Sequence, residues 1–267
     1  MFNPSLPLMR SSLLAGYNDI SHAFSTRKGG MSSPPYSSLN LSSDTGDDLR
    51  YVNHNIKALM SALSIESGFL FLNQIHSDNL LLLEDRQVDD GALAYDAVVT
   101  NLQKIPLIIL TADCLSVLLY DPVNKVIGAV HAGWRGTALG IVEKTVKVMA
   151  EKYFSKPEDL IAALGPSIGN CCYEVDDAVF LEFMKMRDSR KEWDFATGAT
   201  GKKNNGKWMF DLAGANSFQL IKAGLKQRHI SPAGICTSCN SDSYFSYRRD
   251  GAKTGRQGSI IMLNCIQ

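Results

Sequence analysis

The amino-acid sequence predicts an α/β fold in a single domain that spans residues 1–267. Short apolar runs that stop at turn residues are typical of buried strands, and they alternate along the chain with segments of helical apolar spacing. Hydrophobic residues make up 45% of the chain and 21 residues are glycine, which is ordinary for a globular α/β protein. Neither an internal repeat nor a linker is visible, so one compact domain is favoured.

The first part of the chain predicts a strand at its start and then a helix. The strand begins near His22 and leads through a Gly-Gly turn into a long loop rich in serine and proline. Apolar residues recur at helical spacing over Leu49–Leu63, and Asp47 and Asp48 stand at its N-terminal end, where acidic side chains stabilise a helix.

The rest of the chain continues the alternation of strands and helices. Strands are predicted at Gly68–Asn73, Leu80–Leu83, Ile105–Leu110, Leu115–Tyr120, Lys125–Val130, Leu160–Leu164 and Ser259–Leu263. Helices are predicted at Thr137–Phe154, Asp176–Met186 and Asp211–Arg228. The polar segment Asp188–Lys207 predicts an exposed loop, and a strand is predicted to begin near Cys236, before an Arg/Gly-rich turn.

Charge and hydropathy exclude several classes of protein. With 27 basic and 27 acidic residues, nothing indicates a nucleic-acid-binding surface. No apolar run approaches about 18 residues, so we expect no membrane span. Pro4 and Pro7 interrupt the N-terminal segment, which argues against a signal peptide, and we expect a cytoplasmic protein.

Cys114 and His131 are the most informative residues of the chain. Each lies at the end of an apolar run, and the turn residues Asp121–Asn124 allow the two intervening runs to pair as neighbouring strands. A thiolate and an imidazole held together in a buried setting suit a zinc or copper ion, or equally a Cys/His nucleophile pair.

A catalytic zinc ion usually has three protein ligands and an open fourth position. The best third ligand is His76, within the sequence NQIHSD, although His22 at the start of its strand is another candidate. A single histidine is more often a hydrogen-bonded structural residue. Asp113, next to Cys114, is expected either to orient a ligand or shuttle a proton, or else simply to cap a turn.

Six cysteines are few for 267 residues, and in a reducing compartment we expect free thiols or metal ligands. Cys236 and Cys239 have the spacing of half a zinc knuckle, but no second such pair lies nearby, so a structural zinc is not favoured there. The adjacent Cys171 and Cys172 are expected to be small buried hydrophobic residues.

A series of motifs resembles one known family. They occur in the order FSTRKGGMS, PYSSLNL, GDD, NQIHSD, TADCLSVLL, AVHAGWRG, ALGPSIGNCCYEV and FSYRRDGAKTGR. In this order they are similar to the bacterial multicopper polyphenol oxidoreductase (laccase-like) family, over roughly residues 20–264. Three positions depart from the family pattern: Ser77 replaces a frequent glycine, Ser116 a usual proline and Ile56 a common arginine.

The resemblance implies a fold, a metal and an activity. The implied fold is a layered α-β-β-α sandwich with mixed sheets, similar to the deamidase domain of cytotoxic necrotising toxins. The implied metal, zinc or alternatively copper, is bound by His76, Cys114 and His131. The implied activities are phosphorolysis of adenosine, inosine and methylthioadenosine to base and ribose 1-phosphate, and deamination of adenosine. A copper-dependent phenol oxidation and a role in peptidoglycan-precursor editing are also attached to the family.

These activities assign expected roles to further residues. For deamination, zinc would lower the pKa of a bound water towards about 7 for attack on C6 of adenine, with Asp113 as proton shuttle. Phosphorolysis needs phosphate held against the ribose, and arginines make bidentate contacts to phosphate. The arginine candidates are Arg27, Arg248, Arg249 and Arg256, and the candidates for binding ribose or base are Ser25, Asn40 and Gln74. Purine nucleosides and phosphate are therefore the expected partners.

Three other functions compete with this interpretation. A metal-free Cys114/His131 pair would make an amide hydrolase, which alkylation would inactivate and chelators would not. A multicopper laccase needs clustered His-x-His pairs, but the chain has five histidines and none in that pattern. A binding adaptor would show ligand affinity without turnover.

Overall fold

Two mixed β-sheets pack face to face in the computed structural model, which describes residues 6–85, 94–185, 199–202 and 206–265. The strands are β1 (Leu8–Met9), β2 (Ile20–Ser25), β3 (Leu70–Phe71), β4 (Leu80–Leu82), β5 (Ala97–Thr100), β6 (Leu107–Thr111), β7 (Leu115–Asp121), β8 (Val126–Ala132), β9 (Ile161–Leu164), β10 (Glu174–Val175), β11 (Ala199–Lys202), β12 (Trp208–Phe210), β13 (Ile230–Pro232) and β14 (Gln257–Leu263). The helices are α1 (Leu49–Ala62), α2 (Trp134–Ala138), α3 (Ile141–Tyr153), α4 (Asp177–Lys185), α5 (Leu212–Lys222) and α6 (Tyr247–Asp250).

Both large sheets are mixed, as expected. The first has the strand order β1-β2-β14-β6-β3, and its strands are antiparallel except for the parallel pair β6 and β3. The second has the order β13-β9-β7-β8-β5-β4, with parallel pairs only at its two edges. A small antiparallel sheet of β10, β12 and β11 completes the described strands.

Alternating side chains divide the molecule into four layers. Ile109 and Ile261 of the first sheet pack against Leu118 and Ala129 of the second. The intervening residues of the first sheet face the opposite way, onto α1, and those of the second sheet pack against α3 and α5. Successive strand residues point to opposite faces, so each sheet is buried on both sides. The layers run α-β-β-α, as the resemblance implied, while the likeness to a toxin domain stays a prediction.

The hairpin of β7 and β8 forms as the sequence predicts. The Asp121 carboxylate accepts hydrogen bonds from the backbone amides of Val123 and Asn124, at 2.8 and 3.1 Å, and so closes the turn. Ser116 pairs with His131 in the antiparallel register. This register brings Cys114, the residue before β7, to the same sheet end as His131.

Two predicted helices are shorter than expected because glycines end them. The segment Thr137–Phe154 belongs to two helices, α2 and α3, and Gly140 between them has a φ of +73°, which a side chain disfavours. The segment Asp211–Arg228 forms a helix only to Lys222, since Gly224 has a φ of +106°.

The remaining corrections concern loops and short elements. The strand expected from Cys236 is a single bridge to Ser167, and the following segment forms α6. Most of the loop predicted at Asp188–Lys207 lies outside the described residues, while 199–202 form β11. Among the helices described, none is both long and apolar enough to cross a membrane.

Candidate metal centre

Three side chains from separate segments meet at one end of the second sheet. The ligand atoms of His76, Cys114 and His131 all lie within 4.8 Å of one another. The Cys114 Sγ lies 3.7 Å from His76 Nε2, and the two imidazole rings meet edge to face with centroids 4.8 Å apart. The convergence that the sequence could only suggest is present in the structure.

Each of the three residues is positioned by the local backbone. Cys114 and His131 are fixed by the hairpin register of β7 and β8. His76 lies in a loop with a left-handed φ of +61°. The side-chain amide of Gln74 both donates to and accepts from the backbone of Leu110 at 2.8 Å, which holds this loop against β6.

Asp96 orients both histidine segments. It is fully buried, and its Oδ1 lies 2.8 Å from His131 Nδ1 and accepts the backbone N–H of His76 at 3.0 Å. Its Oδ2 accepts the backbone N–H and the hydroxyl of Ser77 at 2.6 and 2.7 Å. Because His131 Nδ1 is occupied, Nε2 is the nitrogen left for a ligand, which is the carboxylate–histidine arrangement common around protein-bound metals.

The electrostatics favour a thiolate at Cys114. Burial raises the pKa of the Cys114 thiol, but the neighbouring His131 and hydrogen bonds from both imidazoles outweigh it and bring that pKa to about 6. Burial lowers the pKa of His131, yet the Cys114 thiolate and Asp96 raise it to about 9. The pair thus carries opposite charges at neutral pH when no cation is bound.

The donor set and the space around it fit a zinc-sized ion. Tetrahedral zinc with Zn–N near 2.0 Å and Zn–S near 2.3 Å separates its nitrogen and sulfur ligands by about 3.5 Å, close to the 3.7 Å between His76 and Cys114. A Cβ atom at Gly133 would lie 3.0 Å from His76 Cδ2 and 3.2 Å from Cys114 Sγ. Glycine at this position therefore keeps the space beside the ligands open.

The three ligands open into a cavity of about 600 Å³. Its walls are partly apolar and aromatic, and the residues of that kind include Leu72, Trp134, Ile168, Tyr173 and Tyr247. A cleft of this size with a few convergent polar groups is typical of a small-molecule site.

Three guanidinium groups line the same cavity: those of Arg135, Arg248 and Arg256. Arg248 donates from Nη1 to two carbonyls of the 172–174 loop, and Arg256 donates from Nη1 to the carbonyls of residues 254 and 255. The Arg135 guanidinium stacks over the Trp134 ring, 4.3 Å from its centroid, and makes no hydrogen bond or ion pair with any residue that the structure describes. The cavity therefore offers cationic donors suited to an anion.

Asp113 anchors the arginine segment. Its carboxylate accepts hydrogen bonds from the Thr237 hydroxyl at 2.6 Å, the Ser246 hydroxyl at 3.0 Å and the backbone N–H of Arg248 at 2.6 Å. These three donors hold the 246–248 backbone against the loop that carries Cys114. The geometry gives Asp113 a positioning role, and its action as a proton shuttle stays a prediction.

Several predicted site residues lie outside the cavity lining. Arg27 donates to the carbonyls of residues 37 and 241, and Arg249 to those of residues 237, 238 and 244. Asn40 is fully buried. Its side-chain oxygen accepts a hydrogen bond from the backbone N–H of Arg256, and its amide nitrogen donates to oxygen atoms of the 42–47 loop. The Ser25 hydroxyl accepts the backbone N–H of residue 258. These side chains support the fold around the site and do not line it.

His22 is likewise remote from the candidate centre. Its Nε2 accepts the backbone N–H of Ser11 at 3.0 Å, and the residue is 2% exposed. This is the structural role that a single histidine most often has.

Sequence reasoning missed Asp96, Arg135 and Tyr173. Arg135 stands within the HAGWRG segment, so its place in the motif was an available signal. Asp96 directly precedes the apolar strand β5, where a buried acidic residue needs a partner, but the identity of that partner is set by the fold. Tyr173 carried no signal beyond its place after Cys172.

Comparison with known proteins identifies a matching family and similar relatives. Residues 21–264 match the family model of the multi-copper polyphenol oxidoreductase laccases. A purine nucleoside phosphorylase of Bacteroides thetaiotaomicron is 36% identical over 259 residues, and the match covers 94% of each chain. A purine nucleoside phosphorylase of Deinococcus radiodurans is 38% identical over 264 residues, covering 98% of this chain and 95% of the relative.

Solved structures share the fold. The crystal structure of the hypothetical protein YfiH of Bacillus licheniformis superposes with a TM-score of 0.85 at 33% identity. The match covers 98% of this chain and 97% of the other. The mixed α/β architecture described above is therefore that of a known structural group.

Proposed function

Since the chain belongs to the multi-copper polyphenol oxidoreductase laccase family, we propose that it is a metal-dependent purine nucleoside phosphorylase that also deaminates adenosine. One observation carries the proposal: the His76, Cys114 and His131 ligands share a cavity of about 600 Å³ with three arginines. The relatives named purine nucleoside phosphorylase support the substrate class.

The three ligand residues would hold a zinc ion and leave a position open towards the cavity. A zinc ion there supplies Lewis-acid chemistry and makes water acidic enough to act as a nucleophile near neutral pH. The protein's own contribution is orientation, because Asp96 fixes the ring of His131 and the loop of His76 through hydrogen bonds.

Phosphorolysis requires a phosphate oxygen to bond to the ribose C1′ while the bond from C1′ to the purine N9 breaks. The purine leaves with the electron pair of that bond and takes up a proton. Arg135, Arg248 and Arg256 would hold the phosphate dianion at the cavity wall. Binding phosphate beside the sugar turns an encounter of two solutes into a reaction within one complex.

The apolar wall is suited to the purine ring. Tyr173 and Trp134 present aromatic side chains, and Ile168 adds an aliphatic surface. The Arg248 guanidinium lies 5.3 Å from the Tyr173 ring centroid, so the ring and the charge form one surface. A nucleoside bound there would meet an apolar surface for the base and cations for the phosphate.

The electrostatics of Cys114 and His131 favour one second candidate, a thiol hydrolase. A pKa of about 6 for Cys114 beside a protonated His131 matches the pattern of activated cysteine nucleophiles. The position of His76 argues for the metal, because its Nε2 lies 3.7 Å from the same sulfur and completes a three-donor set.

Product analysis tests the proposal. Purified protein is incubated with adenosine, with and without phosphate, and the products are separated. We expect adenine and ribose 1-phosphate with phosphate present, and inosine without it. His131→Ala should abolish both reactions, whereas His229→Gln, a histidine change outside the cavity lining, should retain them. Finding neither adenine nor inosine from the zinc-loaded protein would overturn the assignment.

A further inference from the structure

A second cluster of metal-binding side chains lies outside the candidate active centre. The sulfurs of Cys171, Cys172, Cys236 and Cys239 all lie within 4.8 Å of one another. This corrects the expectation that the first two are buried hydrophobic residues, since Cys171 is exposed and Cys172 half-buried. It also supplies the partner pair that the CxxC of Cys236 and Cys239 lacked in the sequence.

The spacing of the sulfurs is that of ligands around one ion. Cys239 Sγ lies 3.5 Å from Cys171 Sγ and 3.4 Å from Cys172 Sγ. Four thiolates at about 2.3 Å from a tetrahedral zinc lie about 3.8 Å apart, whereas disulfide sulfurs lie about 2.05 Å apart. Sulfurs within 4.8 Å of one another leave room for a single ion at their centre.

The backbone brings the two cysteine pairs together before any ion binds. The 167–172 and 235–240 segments are joined by hydrogen bonds from Ser167 N to Ile235 O at 3.3 Å and from Thr237 N to Ser167 O at 3.0 Å. Turns then direct the cysteines inward, since Cys172 N donates to the carbonyl of Gly169 at 3.0 Å. Backbone hydrogen bonds between the two loops therefore fix the positions of the sulfurs.

Gly169 provides independent evidence for this close approach. A Cβ atom there would lie 3.1 Å from Cys236 Cβ, 3.3 Å from Cys171 Sγ and 3.5 Å from Cys236 Sγ. A side chain at this position would force the neighbouring cysteines to shift by a few tenths of an ångström. Glycine at position 169 keeps the space beside the cysteine sulfurs open, as Gly133 does beside the ligands of the first centre.

We propose that Cys171, Cys172, Cys236 and Cys239 bind one zinc ion as a closed, structural site. Four thiolates fill the tetrahedral coordination of zinc and leave no position for substrate, in contrast to the first centre. Thiolate ligands also select zinc over magnesium, calcium or manganese. The site is distinct from the three-ligand centre and does not depend on the proposed enzymatic function.

The proposed ion would stabilise one wall of the cavity. Arg248 donates to the carbonyls of Cys172 and Glu174, and Arg249 donates to the carbonyls of Thr237 and Ser238. Cross-linking the two cysteine loops would fix the anchors of both arginines. Loss of the ion should therefore loosen this wall while leaving the ligands of the first centre in place.

Metal stoichiometry tests the proposal directly. Protein purified under reducing conditions and loaded with zinc is measured for zinc per chain, beside Cys239→Ser and the matched control Cys265→Ser, another exposed cysteine. We expect Cys239→Ser to contain one zinc fewer than the wild type, and Cys265→Ser to contain the same amount. Equal zinc in the wild type and Cys239→Ser would overturn the proposal.

Thiol protection in the unmodified chain provides a second readout that needs no variant. In zinc-loaded native protein, mass spectrometry after alkylation should show that Cys171 and Cys239 are modified far more slowly than Cys265. After a chelator is added, all three cysteines should be modified at similar rates. Equal modification before chelation, or a disulfide between any two of the four cysteines, would overturn the site. Neither readout involves nucleosides, so failure here is distinguishable from failure of the proposed activity.

Discussion

The two cysteine-containing centres of this molecule differ in how they are built. The first combines two residues at strand ends with a histidine from a loop, has the fully buried Asp96 orienting both histidine segments, and opens into a cavity. The second uses two surface loops whose four sulfurs face one another. An open, mixed N₂S ligand set suits chemistry on a substrate, and a closed S₄ set suits cross-linking of loops. Ligand number and solvent access, more than the presence of cysteine, therefore separate a catalytic from a structural role.

The largest effect is expected from removing a ligand of the open centre. Cys114→Ser should lower the rates of both phosphorolysis and deamination by about 10³-fold, because a bound Lewis acid lowers the activation barrier by several kcal/mol. The same variant should keep the zinc of the four-cysteine site. Kinetics and metal content measured on one preparation check both statements, and full activity in Cys114→Ser would remove the first centre from the mechanism.

A smaller effect is expected at the residue that orients the ligands. Asp96→Asn should weaken zinc binding at the first centre by about 10–100-fold, as loss of such carboxylate partners typically does. Activity should then recover when zinc is raised, and a competition titration gives the affinity. Asp19→Asn, which changes an aspartate paired with Lys125, is the control. Unchanged affinity in Asp96→Asn would contradict the orienting role.

The arginines allow a test within the cavity itself. Arg256→Lys should raise the KM for phosphate by about 10–100-fold, because a bidentate charged contact is worth roughly 1.5–3 kcal/mol. Deamination of adenosine, which needs no phosphate, should change less. Arg27→Lys, outside the cavity lining, should leave the phosphate KM unchanged. Equal shifts in both variants would show that the effect is not local to the site.

The smallest effect on activity is expected for His22, which the structure places away from both centres. Burial and the nearby Arg10 lower its pKa to about 4, while the unfolded value is near 6.5. The unfolded chain therefore binds the proton first, so this stabilisation is complete above pH 6.5 and is lost as the pH falls towards 4. The loss should be of order 2–3 kcal/mol. Urea unfolding across this range should show a flatter profile in His22→Gln, and identical profiles would exclude His22 as the source.

Strands, helices and the ligands of the first centre can be predicted from the sequence where the local residue pattern determines the structure. The turn at Asp121–Asn124 sets the register of β7 and β8, so Cys114 and His131 were recognisable as neighbours. The partnership of Asp96 with His131 was not recognisable, because strand β5 pairs with β8 across a non-local connection.

The second centre was missed for a related reason. Cys171 and Cys239 are 68 residues apart, and tertiary contacts such as the bridge between Ser167 and Cys236 bring their loops together. The sequence also could not show which arginines line the cavity, because Arg248 and Arg249 are adjacent and, of these two, only Arg248 lines it. A short helix, α6, turns their side chains in different directions.

The most direct test of the account follows zinc and phosphorolysis together during chelation. The open centre should release its ion first, and adenosine phosphorolysis should fall in proportion to that first ion and return when zinc is restored. The zinc of the four-cysteine site should leave later. Phosphorolysis that persists after all zinc has been removed, and that thiol alkylation then abolishes, would contradict the metal-dependent mechanism and establish Cys114 as a nucleophile.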